Sequence, residues 1–464
     1  MSTPSRDVSL ADLAICFEGG VPAVIATAAA DGTPNVTYLS RVRMVDGERV
    51  ALSNQFLSKT ARNLAENPHA SVLVLDPRNY DEYRLALVYE RTDRRGPVFD
   101  RLREDVDTIA ALSGMQDVFR LRAADIYRVV AVEHVPAAVH LVEGACPEPA
   151  PLAEVELGAV AELTGRLARC GDLDALVDAT VGGLSAVLGY DHVVLALHDE
   201  EGEQLYTIAS HGYPDEGVGS ELALGEGTIG LAGQRCAPVR IGNLGQMGKY
   251  ARTVRRSFEA KGEDLSGPIV PLPVLDDAES QLAVPLQVLG QLVGVLAVES
   301  RDKVAFGPAD EAALAVVAAV VAAGIEAARA EARDHPESPS RPSAANRPAP
   351  GASGTPVSVV RTYAADGSVF VDGEYLIKGV AGRVLCSLLR SHERDGRTEF
   401  TNKEVRLDPS LELPELRDNL ESRLILLKRR LDERSAPVRI EKTGRGRFRL
   451  VVRHPVALEV NDST

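Results

Sequence analysis

Residues 53–68 read Ser53-Asn54-Gln55-Phe56-Leu57-Ser58-Lys59-Thr60-Ala61-Arg62-Asn63-Leu64-Ala65-Glu66-Asn67-Pro68. Apolar Val50-Ala51-Leu52 precedes this stretch, and the run Ala70-Ser71-Val72-Leu73-Val74-Leu75 follows it. The pattern predicts a strand, a polar turn, a short helix and a second strand. Ser58, Lys59 and Thr60 stand where the helix begins. Two hydroxyls, one ammonium and the unsatisfied N–H groups of a first helical turn form a phosphate-binding arrangement. The same residues also read as a helix capped by Ser58 with a solvated Lys59 beside it.

Around this stretch, residues 1–145 read as one module. Asp7–Leu13 predicts a capped short helix. Val21–Thr27, Asn35–Ser40 and Val50–Ser53 predict strands, separated by turns at Asp31-Gly32 and Asp46-Gly47. Tyr83–Glu90 and Ile126–His134 predict two more strands, with a helix over Pro97–Ala111. Short strands joined by Asp-Gly turns predict an antiparallel sheet that closes into a small barrel.

The order of these elements, with "LSNQFLSKTARNLAENPHASVLVLDP" and "GPVFDRLREDVDTIAALSGMQDVFRLRAADIYRVV", resembles the pyridoxamine 5'-phosphate oxidase-like split barrels. The resemblance implies a homodimer that holds FMN at its subunit interface. It implies that Ser58, Lys59 and Thr60 contact the flavin phosphate. It places Ser53, Asn54 and Gln55 at the strand end facing the ring, adds Asn63 on the helix, and makes Arg41 and Arg43 candidate second cations. The chain departs from the oxidase itself. It has no Trp, and Tyr127-Arg128-Val129-Val130 stands where an Arg-x-His substrate element is expected. Turnover of a vitamin B6 substrate is therefore not implied.

The chain has 464 residues, too many for one core, so about three domains are expected. Its net charge of -16 argues against whole-chain binding to nucleic acid. Aromatics at 4% exclude extended stacking platforms for single strands. The five cysteines, Cys16, Cys146, Cys170, Cys236 and Cys386, show no C-x-x-C spacing. That pattern fits a reducing, cytoplasmic setting without a disulfide framework or a zinc site. No signal peptide is evident. The Ala/Val-rich run at 312–325, about fourteen residues, is read as too short to span a bilayer.

A Pro-rich acidic linker at 146–154 leads to a second module, 155–333. Ala153–Ala168 and Leu173–Leu188 have helical apolar spacing, and Asp191–His198 and Gln204–Ser210 predict paired strands. Gly225-Glu226-Gly227-Thr228-Ile229-Gly230 permits a tight strand-to-helix turn but lacks a phosphate-loop lysine. With "APVRIGNL", "SQLAVPLQVLGQLVGVLAVES" and "FGPADEAALAVVAAVVAAGIEAARA" it resembles a GAF domain, an α/β sandwich. The resemblance implies a small-molecule ligand or a dimerisation unit. Met247–Asp264, with Lys249, Arg252, Arg255, Arg256 and Lys261, is expected as a basic cover over the pocket or as a solvated loop.

Residues 334–356 are rich in Pro, Ser and Ala and predict a flexible linker. In residues 357–454 the charge inverts: 20 Lys/Arg against 15 Asp/Glu gives +5, leaving -21 for the rest. A basic module on an acidic body points to a polyanion. The elements read β-β-β-α-α-α-β-β, with a long third helix over Leu413–Arg434, and 455–464 as a tail. "DNLESRLILLKRRLDE" and "IEKTGRGRFRLVV" resemble the winged helix-turn-helix of response-regulator output domains. The resemblance implies double-stranded DNA contacts by Arg417, Asn419, Arg423, Lys428 and Arg430 on the helix, with Arg445 and Arg447 on the wing.

The fold class expected is thus multidomain α+β: an antiparallel split β-barrel, a GAF sandwich and a winged helix. The function expected is a cytoplasmic one-component transcriptional regulator that senses a flavin or redox state and a small GAF ligand. The alternative is a flavin- or deazaflavin-dependent oxidoreductase with regulatory domains. No catalytic residue, metal site or membrane partner is assigned from the sequence.

Overall fold

The computed structural model describes residues 8–461 except 19–20, 56–57, 113–114, 116–117, 136–154, 200–202, 214–216, 246–274, 276, 335–356, 364–366, 412–419 and 445. The linkers expected at 146–154 and 334–356, and the basic stretch Met247–Asp264, therefore lie almost wholly outside the described residues.

The first module holds β1 (Ala23–Ala28), β2 (Pro34–Leu39), β3 (Val42–Met44), β4 (Arg49–Asn54), α1 (Ser58–Glu66), β5 (His69–Leu75), β6 (Glu82–Asp93), α2 (Pro97–Leu112) and β7 (Ala123–Val135). These make one seven-stranded sheet in the order β2-β1-β5-β6-β7-β4-β3, with antiparallel neighbours. Alternation works as expected: Ala70, Val72 and Val74 of β5 are buried with Ile25 of β1 and Leu85 and Leu87 of β6. The curled sheet fits a split barrel. The N-terminal helix begins later than expected. A 3-10 helix runs Leu10–Phe17, because Ser9 and Asp12 form a reciprocal capping box that fixes its start.

The second module holds α3 (Leu157–Leu167), α4 (Leu173–Leu188), β8 (His192–Asp199), β9 (Gln204–His211), β10 (Glu221–Ala223), α5 (Gly227–Arg235), β11 (Val239–Gly242), β12 (Ser280–Val288), β13 (Gln291–Ser300) and α6 (Pro308–Asp334). The six strands order as β10-β9-β8-β13-β12-β11. Strand parity divides two apolar layers. Leu195, Leu197, Leu282, Val284, Leu296 and Val298 face α3, α4 and α6. Val194, Ala196, Ala283, Val295 and Ala297 face α5 on the other side. The helix α6, which the apolar spacing predicts from Pro308 to about Arg333, runs Pro308–Asp334. Its stretch Pro308–Ala330 is long and apolar enough to cross a bilayer by length and composition alone. One face of it, through Leu314, Val317, Val321 and Ile325, is buried in this module's core.

The third module holds β14 (Ser358–Tyr363), β15 (Val369–Val371), β16 (Glu374–Ile377), α7 (Gly379–Asp395), β17 (Glu399–Thr401), α8 (Asn402–Arg406), α9 (Leu420–Glu433), β18 (Val438–Gly444), β19 (Arg447–Val452) and β20 (Val456–Asn461). They form a four-stranded sheet, β16-β15-β14-β20, and a three-stranded one, β17-β19-β18. Two features differ from the sequence reading. Residues 456–461, taken as tail, form β20 parallel to β14, with Val456 and Leu458 packed on the core. A short strand, β17, precedes α8, whose start Thr401 caps through a capping box with Glu404.

The modules pack on one another. Val106, Ile109 and Ala110 of α2 share an apolar cluster with Ile241 and Leu244 of the second module. The second and third modules share one continuous apolar cluster.

Candidate functional site

The stretch 53–68 folds as read, with β4 ending at Asn54, α1 starting at Ser58 and β5 following. Its polar residues are used in distinct ways. Ser53 Oγ accepts from the Arg41 backbone N–H at 3.0 Å and is buried. Asn54 Nδ2 donates to Asp125 Oδ2 at 2.9 Å, and Thr92 Oγ1 donates to the other oxygen at 2.6 Å. Burial nonetheless raises the Asp125 carboxyl above its ordinary range, outweighing these donors. Thr60 and Asn63 lie on the inner face of α1. Asn35 Nδ2 donates to Thr60 Oγ1 at 3.0 Å, and Asn63 Nδ2 donates to Thr27 Oγ1 at 3.1 Å. Lys59 is exposed at the first turn of α1; the side chain of Ser58 lies outside the described set.

Gln55 differs from these neighbours. It is 3% exposed, and among the described residues neither its Oε1 nor its Nε2 has a hydrogen-bond partner. A buried amide left unpaired costs about 1–3 kcal/mol. An amide edge presents one donor and one acceptor. The pyrimidine edge of an isoalloxazine presents the complementary set, so of the residues at the end of β4 the Gln55 amide is the one chemically suited to a flavin ring, Ser53 and Asn54 being bonded within the barrel.

The structure sends the guanidinium of Arg41 elsewhere. It donates to Asp105 of α2 at 3.2 Å, and Arg43 reaches the same oxygen at 2.8 Å. Both arginines line a cavity of about 640 Å³ between the barrel and the second module, together with Asp105, Arg235 and Arg240. Arg235 of α5 donates to Thr108 Oγ1 of α2 at 2.8 Å, and burial holds its guanidinium below its ordinary range. Sequence reading missed Asp105 because its partners are more than sixty positions away.

A second polar site lies on the α5 face of the middle sheet. Thr228 Oγ1 donates to Gln281 Oε1. Gln281 Nε2 donates to Glu299 Oε1 at 2.7 Å, and Tyr213 OH donates to Glu299 Oε2 at 3.1 Å. The Tyr213 ring meets His192 edge-on at 5.3 Å. Burial pushes the Glu299 carboxyl up to about 7, against the pull of both donors. Strand parity could have found this chain: Glu299 follows Val295 and Ala297 on one face, and Gln281 precedes Ala283. The glycines act in packing. A Cβ at Gly230 would stand 2.3 Å from the Ala223 carbonyl, so α5 approaches β10 too closely for any side chain. Cys236 is exposed at the C-cap of α5. Among the described residues no group of His, Cys, Asp and Glu could hold a metal ion.

Of the DNA-contacting residues expected on the third helix and wing, Arg417, Asn419 and Arg445 lie outside the described residues. Arg447 is exposed on the β18–β19 hairpin. Arg430 is turned inward, donating to the Leu376 carbonyl at 2.8 Å and pairing with Glu433 at 2.6 Å. Arg423 and Lys428 pair with Asp199 and Asp174 of the middle module, each at 2.6 Å.

Comparison with known proteins agrees with two of these modules. Residues 16–129 match the pyridoxamine 5'-phosphate oxidase family, and residues 172–325 match the GAF domain family. The chain thus carries a pyridoxamine 5'-phosphate oxidase-like domain followed by a GAF domain. Neither family spans the third module. Among similar solved structures is the GAF domain of a phosphoenolpyruvate-protein phosphotransferase from Coxiella burnetii. It is 24% identical, with 38% of this chain and 96% of that chain covered, at a TM-score of 0.31. Another is an FMN-binding protein from Syntrophomonas wolfei, 17% identical over 27% of this chain and 83% of that one, at a TM-score of 0.24. An uncharacterized protein of Methanocaldococcus jannaschii is 38% identical over 50 residues, which are 10% of this chain and 34% of the relative. The chain spans about a third of that relative's length.

Proposed function

We propose that the chain is a one-component transcriptional regulator. In this reading the barrel holds FMN, the GAF domain takes a small ligand, and the third module acts on double-stranded DNA as a winged helix. The observation that carries it is contact between sensors and output. The barrel and GAF domain share an apolar cluster through α2, and the GAF domain touches the basic helix α9 of the third module. Two ligand-binding folds joined to one basic module suit a sensor that controls a polyanion-binding output.

The flavin part rests on the family match and on Gln55. Its unpaired amide would hold the ring edge, and Lys59 with the α1 N-terminus would take the phosphate. A bound flavin supplies a reversible redox couple. The chain's own residues would orient the ring through Gln55, kept in place by the Asn54–Asp125 and Ser53–Arg41 contacts on either side of the strand. The outer face of edge strand β2 presents Val36 and Tyr38, both more than 60% exposed, which supports a homodimer formed through the barrel. The DNA part rests on the order α8, α9, then the β18–β19 hairpin, and on the local charge of +5, from 20 Lys/Arg and 15 Asp/Glu.

The test uses the full chain. Flavin absorbance in the purified protein, or saturable FMN titration, is expected. A colourless protein that takes up no FMN refutes the flavin part. A mobility shift with duplex DNA at low salt is expected for the output module, and its absence both from the unaltered chain and from the triple variant Asp174→Asn, Asp178→Asn, Asp199→Asn refutes that part.

A further inference from the structure

Helix α9 is buried on two sides, which an output helix free to enter a groove would not be. Leu420, Leu424, Leu427 and Leu431 are buried in the apolar cluster that the second and third modules share. Arg423, Ile425 and Leu426 are buried as well, and Leu426 packs over Gly219 of the GAF domain. Arg423 is 8% exposed. Its guanidinium lies 4.2 Å from the centre of the Tyr206 ring and 2.6 Å from Asp199, both on GAF strands.

The charges across this contact are sorted by sign. Lys428 and Arg429 of α9 meet Asp174 of α4 at 2.6 and 2.9 Å, and Arg429 also meets Asp178 at 2.6 Å. Lys442, on the hairpin strand β18, meets Asp172 at 2.9 Å. In each of these pairs the cation belongs to the third module and the carboxylate to the GAF domain. Asp172 and Asp174 sit at the α4 N-terminus, where the helix dipole also favours negative charge. The Ala175 N–H, and after it Lys442, hold the Asp172 carboxyl below its ordinary range; against the opposing effect of burial, Lys428 and then Arg429 hold that of Asp174 below its own.

We infer that the acidic face formed by Asp172, Asp174, Asp178 and Asp199 is a docking surface for α9, and that it excludes duplex DNA from that helix. The inference rests on the DNA-binding reading of the third module and adds its control. The carboxylates occupy the cations that phosphates would otherwise take, so GAF contact and DNA contact are mutually exclusive. The docked arrangement is then the DNA-free form.

The experiment compares the full chain with two variants. One is the triple change Asp174→Asn, Asp178→Asn, Asp199→Asn. The other is Asp178→Lys alone, at a side chain 68% exposed and therefore tolerant of change. Amide exchange across residues 420–433 reads docking. Binding to a random-sequence 30-base-pair duplex, over a salt series, reads DNA contact. Freed cations add phosphate contacts, so each variant is expected to exchange faster across α9 and to bind about tenfold tighter, with a steeper salt dependence. Faster exchange with duplex affinity equal to that of the unaltered chain overturns the masking while leaving the DNA reading intact. Faster exchange with no duplex binding in any form removes the DNA reading, and the masking with it. Unchanged exchange in both variants shows that the carboxylates do not hold the helix, and overturns the docking claim.

Discussion

Glu299→Gln tests the polar chain on the GAF sheet. Glu299 is 3% exposed, and its carboxyl moves from an ordinary 4.5 to about 7 on folding. Burial is the largest cause, and the Tyr213 and Gln281 donors only moderate it. The sign follows from linkage. Above pH 4.5 the unfolded chain gives up this proton while the folded chain keeps it, so stability falls as pH rises. The loss is complete above about 7 and amounts to roughly 3 kcal/mol, at 1.36 kcal/mol per pH unit. Gln is the neutral isostere and does not titrate. At pH 5 the variant and the unaltered chain should unfold at nearly the same temperature. At pH 8 the variant's GAF transition should lie about 6–12 °C higher, from about 2–4 °C per kcal/mol in a domain of this size. The chain has no Trp, so calorimetry is the suitable assay. Equal pH slopes in the two proteins would refute the assignment of this proton to Glu299.

Gln55→Leu removes the unpaired amide. The flavin-free chain should be as stable or up to about 2 kcal/mol more stable by denaturant titration, while FMN affinity drops about tenfold or more. Asp105→Asn removes the shared carboxylate of Arg41 and Arg43. It should cost about 1–3 kcal/mol and speed amide exchange in α2, because two guanidinium groups lose their charged partner. Gly230→Val puts a branched side chain where a Cβ already meets a carbonyl at 2.3 Å. It should cost about 2 kcal/mol or more, read as a lower melting temperature for the GAF domain.

The local parts of the fold were legible in the sequence because their signals are local. The strand-turn-helix-strand of 50–75 follows from alternation and from turn residues a few positions apart. The GAF order follows from Gly225 to Gly230 and from the apolar strands around them. Contacts that cross long stretches of chain were not legible. Asp105 holds Arg41 and Arg43 from over sixty residues away, and Asp174 holds Lys428 from 254. Nothing near Lys428 or Arg423 distinguishes a phosphate contact from an intramolecular ion pair, since both need the same exposed cation on the same helix face. Strands β17 and β20 escaped notice for another reason. Three residues are too few to show alternation, and β20 pairs with a strand almost a hundred residues upstream.

Those long-range contacts also decide how one module can bear on the next. Helix α2 is held on the barrel side by Arg41 and Arg43 and on the GAF side by Arg235 of α5. Helix α5 carries Thr228, the first member of the chain ending at Glu299 and Tyr213. Across the sheet, β9 places Leu205 in the α5-side layer and the next residue, Tyr206, under the guanidinium of Arg423. Neighbouring residues of one strand point to opposite faces. Under the proposed ligand reading, a displacement of β9 from the α5 face would move the ring that supports Arg423 on the other. That coupling is read as the change in α9 exchange on ligand binding; Tyr206→Leu is expected to leave α9 docked but unresponsive, and an undiminished response in that variant refutes the route through the ring.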